Sequence, residues 1–119
     1  MKFEVIDFHT HPFCEQINNI CAHKSILDMD KDHILKLMDK LGISKFCGSV
    51  ISSYHPKTYA EGESEWTRIQ SQNQTALDLQ KYYKGRYIAG FHVHPDFVEE
   101  SIKEIDKMKG LGVNLIGEL

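Results

Sequence analysis

Val5-Ile6-Asp7-Phe8-His9-Thr10-His11-Pro12 is the stretch whose reading decides the fold. The apolar positions Phe3, Val5, Ile6 and Phe8 read as a strand, and Pro12 closes it. Side chains alternate along a strand, so Asp7, His9 and His11 are expected on one face, with neighbours roughly 6.5–7 Å apart. Two imidazoles at that spacing can lean toward one ion and each reach it at about 2.0–2.1 Å. The pattern predicts a strand that holds a divalent metal at its C-terminal mouth. Its rival is a pair of exposed polar residues at a strand end. The in-phase aspartate and the apolar run before it favour the metal.

Outward from this strand the chain alternates strand and helix. After a polar stretch over 15–25, read as a loop or short helix, apolar residues Ile34, Leu37, Met38 and Leu41 predict a helix over 31–41, stopped by Gly42. Residues 43–51 read as a second strand and 52–63 as a loop. A long helix is expected over 64–83, with Trp66, Ile69, Asn73, Ala76, Leu77, Gln80 and Tyr83 approximately in phase. A third strand is expected over 87–93. A third helix over 96–109 is expected to bury Val98, Ile102, Ile105 and Met108, and a fourth strand over 112–119 completes the series. Largely apolar strands separated by helices imply a parallel sheet covered by helices, a βαβαβαβ unit of the α/β class.

The 119 residues make one domain or part of one. Hydrophobic content of 41% and charged content of 26% are those of an ordinary soluble globular protein. A net charge of −3 supplies no electrostatic reason to bind nucleic acid or a membrane surface. The apolar runs fall far short of the roughly 20 residues of a membrane span. The N-terminus has an early acid and no small-residue cleavage site, so no signal peptide is expected. Cys14, Cys21 and Cys47 form no Cys-x-x-Cys pair and are expected as reduced thiols in a cytoplasmic protein.

In parallel α/β folds function gathers at the C-terminal ends of strands, and the polar residues here fall at those ends. The first strand ends in His9 and His11, the second leads to Ser52, Ser53 and His55, the third ends in His92-Val93-His94-Pro95, and the fourth ends in Gly117-Glu118. His55, His92 and His94 are candidates for lining a substrate pocket, against solvated or backbone-satisfied histidines. Glu118 is either a carboxylate facing the site or a solvated residue near the end of the sequence. His23 and His33 read as surface residues, Glu99, Glu100, Lys103 and Glu104 as the solvent face of the third helix. Trp66, Tyr82 and Tyr83 read as core or helix–helix contacts.

Val5 to Pro12 resembles the first-strand motif of the amidohydrolase superfamily, in particular the amidohydrolase 2 branch of TIM-barrel metal-dependent hydrolases and related decarboxylases. The stretch from Asn73 to Pro95 and the passage Gly112-Val113-Asn114-Leu115-Ile116-Gly117-Glu118 are similar to later parts of that branch. The resemblance implies the N-terminal half of a (β/α)8 barrel, with His9 and His11 as metal ligands and Asp7 beside them, behind the ligands. It places Glu118 where members of the superfamily hold or bridge metals with a carboxylate or modified lysine. The implied cofactor is a divalent ion, zinc before manganese or iron, and the implied reaction is attack of metal-activated water on a carbonyl-type carbon of a small-molecule substrate. Ligands that the family takes from its later strands have no counterpart, so a missing C-terminal half or self-association is expected, and no general base is assigned.

Two other readings share the early histidines. A polymerase-and-histidinol-phosphatase type phosphoesterase would place a Thr-Asp-His-like motif where this chain has Ser52-Ser53-Tyr54-His55. A metal-dependent DNase would share Gly117-Glu118. A third reading, of a different kind, is a catalytically silent half-barrel that acts in assembly.

Overall fold

A computed structural model describes residues 3–12, 31–51 and 64–119. The elements follow the order β1 (Ile6–Asp7), α1 (Lys31–Leu41), β2 (Lys45–Ser49), α2 (Glu65–Tyr83), β3 (Tyr87–His92), α3 (Val98–Gly110) and β4 (Leu115–Glu118). The four strands form one all-parallel sheet in the order β1-β2-β3-β4. Sequential order with a helix at each described crossover keeps the helices on one side of the sheet. A single core cluster bears this out, because Met38 of α1, Ala76, Leu79 and Tyr83 of α2, and Met108 of α3 pack with Phe46, Tyr87, Ala89 and Phe91 of the strands.

The other side of the sheet is concave and uncovered by these helices. Alternation from Tyr87, Ala89 and Phe91 puts Ile88, Gly90 and His92 on it. The curl is strong: a Cβ built on Gly117 of β4 would lie 2.7 Å from the Ser49 Oγ of β2, although β3 stands between these strands. A sheet this bent, with helices outside only, is a half-barrel.

Local signals set the element ends. Ser64 caps α2, its hydroxyl accepting from the Thr67 N–H at 3.1 Å. Left-handed backbone at Gly42 (φ 72°) follows α1. At the sheet's N-terminal end Arg86 donates through Nε to the Ser44 carbonyl at 2.6 Å and through Nη2 to Asp39 at 2.9 Å and the Ile43 carbonyl at 3.0 Å, which ties the α1–β2 turn to β3. Tyr83 is core, and Tyr82 is half exposed and donates to Asp32 of α1, a helix–helix contact as expected.

Three expectations are corrected. The first strand is only Ile6–Asp7, because the chain bends at His9 and the segment beyond attaches to β2 through the Thr10 N–H and hydroxyl, both donating to the Cys47 carbonyl at 2.9 Å. Helix α3 is turned from its expected setting: Val98 and Ile102 are 59% and 55% exposed and Ser101 and Glu104 are buried in their place, while Met108 is buried as expected. Glu104 is therefore not on the solvent face. It is drawn inward by Asn73, whose Nδ2 donates to its Oε1 at 3.2 Å.

Candidate metal centre

The bend at His9 divides the opening motif between the two sides of the sheet. The Asp7 carboxylate reaches forward along the chain, Oδ1 accepting from the His9 N–H at 3.3 Å. Asp7 then lines an apolar groove of about 240 Å³ with Ile34, Leu37, Met38 and Phe46, on the helix side. Phe8 and His9 instead line a cleft of about 130 Å³ with Gly48, Ser49 and Gly117, on the concave side. Thr10 and His11 border both. The expected common face for Asp7, His9 and His11 is thus broken, and Asp7 acts on the site through the His9 backbone.

The two imidazoles nevertheless come together. Their ring centroids are 5.0 Å apart with the planes at 88°, and His9 is exposed while His11 is half-buried. His11 is oriented by β2, its Nδ1 lying 3.0 Å from the Ser49 carbonyl oxygen. A carbonyl oxygen only accepts, so the neutral His11 ring carries its proton on Nδ1 and its lone pair on Nε2. A backbone carbonyl that fixes the tautomer of a histidine is the usual support of a metal-ligating imidazole.

The same logic holds at Val50, the residue after β2, on the strand's other side. Successive carbonyls of a strand point to opposite neighbours, and the Val50 oxygen meets the His92 Nε2 at 3.0 Å. His92 therefore donates from Nε2 and holds its lone pair on Nδ1. Its backbone is held as firmly: the N–H donates to Asn73 Oδ1 at 2.7 Å, and the carbonyl accepts from Asn73 Nδ2 at 3.0 Å. Asn73 in turn bonds Glu104, whose oxygens both accept from Lys107 Nζ at 3.2 Å. Asn73, Glu104 and Lys107 form a polar support for the His92 backbone that the sequence reading does not anticipate. An asparagine inside the apolar stripe of α2 was the visible signal.

His94 is held by the turn that leads into α3. Its Nδ1 accepts from the Asp96 N–H at 3.1 Å, its ring packs on Phe97 at 5.5 Å, and its backbone N–H and carbonyl both bond the Ser101 hydroxyl at 3.0 Å. These bonds shape the turn into α3. His55, Cys14, Cys21 and His23 lie outside the described residues. Glu118 pairs in register with His92, and its side chain is outside what the structure describes.

Among the described residues, no three His, Cys, Asp or Glu side chains converge as a group able to hold a metal. His9 and His11 are a two-ligand half-site. Burial first, and the Asp7 charge second, push the nearby Cys47 thiol above the usual 9.0, with Lys45 opposing. The Ser49 hydroxyl, fully buried and facing Gly117 in the same cleft, has no hydrogen-bond partner among the described residues.

No family model, curated protein or solved structure matches this chain. What the fold and the site define is a class: an α/β half-barrel with a histidine pair just beyond its first strand. No helix among the described residues is long and apolar enough to cross a membrane.

Proposed function

We propose that this chain is the N-terminal half of a TIM-type barrel of the amidohydrolase kind, and that it serves metal-dependent hydrolysis of a carbonyl-type bond in a small molecule. The observation that carries this reading is His11, tied through Nδ1 to the Ser49 carbonyl with its lone pair on Nε2, beside the His9 ring at 5.0 Å. Two imidazole donors suit zinc, and iron or manganese after it. His9 and His11 would hold the ion, with Glu118 the carboxylate proposed to join them. A divalent ion bound there supplies a lowered pKa for its water and polarisation of the substrate carbonyl.

The rest of the site belongs to the protein. Asp7 holds the His9 backbone, and Ser49 orients His11. The unpartnered Ser49 hydroxyl is a donor that a substrate oxygen or water in the cleft would satisfy, where leaving it unmet costs about 1–3 kcal/mol. His92, its ring fixed by the Val50 carbonyl at the end of β3, is the residue proposed to contact substrate there. Elemental analysis of purified protein tests the reading. Wild type is expected to retain divalent metal and the His9→Ala/His11→Ala double variant to lose it. Equal metal in both would remove the site.

A further inference from the structure

We infer that the open edges of this sheet are covered by a second copy of the chain, which closes an eight-stranded parallel barrel around a two-fold axis. Among the described residues β1 pairs with β2 alone and β4 with β3 alone, so each outer edge presents unpaired N–H and carbonyl groups. Large apolar side chains are exposed beside those same edges. Val5, Ile6 and Phe8 are 47%, 42% and 70% exposed at the β1 edge, and Val98, Ile102 and Ile116 are 59%, 55% and 44% exposed toward β4. In β2 and most of β3, by contrast, the side chains are buried.

These six side chains expose on the order of 600 Å² per copy before any backbone or polar surface is added, against about 800 Å² per partner in a stable interface. Each edge requires a parallel strand of matching curvature. This chain has one such edge at each end of its own sheet, so one further copy satisfies both. A two-fold axis along the barrel sets β4 of each copy against β1 of the other, keeps every strand parallel and leaves no edge. The curl already present, with Gly117 folded back to within 2.7 Å of Ser49 at its missing Cβ, is the curvature such closure needs.

Closure also opens both His9–His11 pairs at one mouth, bringing two half-sites together where one chain's described residues supply only two ligands. That consequence rests on the proposed function; the assembly does not.

The test is the mass of metal-stripped protein by size exclusion with multi-angle light scattering at tens of micromolar. Twice the 13.7 kDa chain mass is expected. A wild-type monomer overturns the proposal and assigns the edges to another partner, and an open-ended larger species overturns two-fold closure. Neither result depends on any variant folding or on metal, so failure here is distinct from failure of the metal site. Ile6→Lys and Ile116→Glu, each at a side chain already more than two-fifths exposed, are each expected to give monomers with unchanged far-UV circular dichroism. Mixing the two should restore the dimer, because both substitutions then fall in one seam and the other seam is wholly native. Dimers that survive both single substitutions would overturn the edge assignment.

Discussion

Gly48→Ala is expected to break the histidine pair at a cost far above that of an ordinary glycine substitution. Gly48 has φ 151°, a region that side chains rarely adopt, and a Cβ there would lie 1.8 Å from the Thr10 carbonyl oxygen and 2.8 Å from its carbon. Ordinary contact begins near 3.4 Å, so Thr10 must retreat by about 1.5 Å. Both Thr10 bonds to the Cys47 carbonyl are then lost or stretched, and His9 and His11 on either side move with it. Backbone strain of about 1–2 kcal/mol, overpacking of about 1–3 kcal/mol and about 1 kcal/mol for a lost hydrogen bond give roughly 3–6 kcal/mol. Gly42→Ala is the control. It also has positive φ, 72°, but nothing lies within 4 Å of its Cβ, so only strain of about 1 kcal/mol is expected. Urea unfolding followed by circular dichroism measures both, and bound zinc measured under folded conditions reports on the histidines. Equal destabilisation of the two variants, with metal retained by Gly48→Ala, would refute the reasoning.

Asn73→Ala is expected to cost about 2–4 kcal/mol, since it removes both Asn73 bonds to the His92 backbone and leaves the buried Glu104 with Lys107 alone; a loss below about 0.5 kcal/mol in urea unfolding would count against that network. Stability is expected to fall in alkali. Burial raises the Cys47 thiol above 9.0 and, as the largest cause, the Tyr87 phenol above 10.0, so the unfolded chain releases these protons first and the fold is progressively disfavoured as pH rises past 9.0 and then 10.0. The urea midpoint should be level near neutrality and decline beyond those values, with a shallower decline in Tyr87→Phe; a midpoint indifferent to pH in both proteins would contradict it.

The alternation of strands and helices was legible because each element carries its own period and stop. The stretch 31–41 is the clearest example, with three-and-four spacing and Gly42 at its end, and the helix is Lys31–Leu41. The histidine pair was legible too, since two residues apart is close in any backbone. Asp7 was misplaced because strand alternation was carried through His9, where the chain bends toward β2. No local pattern announces that bend. It is permitted by Gly48, some forty positions away, whose missing side chain lets Thr10 approach.

The third helix shows the same division. An apolar stripe through Val98, Ile102 and Ile105 predicts a helix but does not say which stripe the sheet takes. Ser101 bonds the backbone at the end of β3 and Glu104 bonds Asn73, and these polar contacts turn α3 so that Val98 and Ile102 face outward.

By itself, then, the sequence determined the elements, their parallel α/β class and a histidine pair close enough to share an ion. Tertiary structure alone decided which nitrogen of His11 holds the lone pair, which side of the sheet Asp7 occupies and which apolar residues stay uncovered. The physical reason is one of range. Periodicity and turn chemistry act over a few residues, whereas the Ser49 carbonyl, the Gly48 backbone and the Asn73 amide act across strands that meet only when the sheet curls.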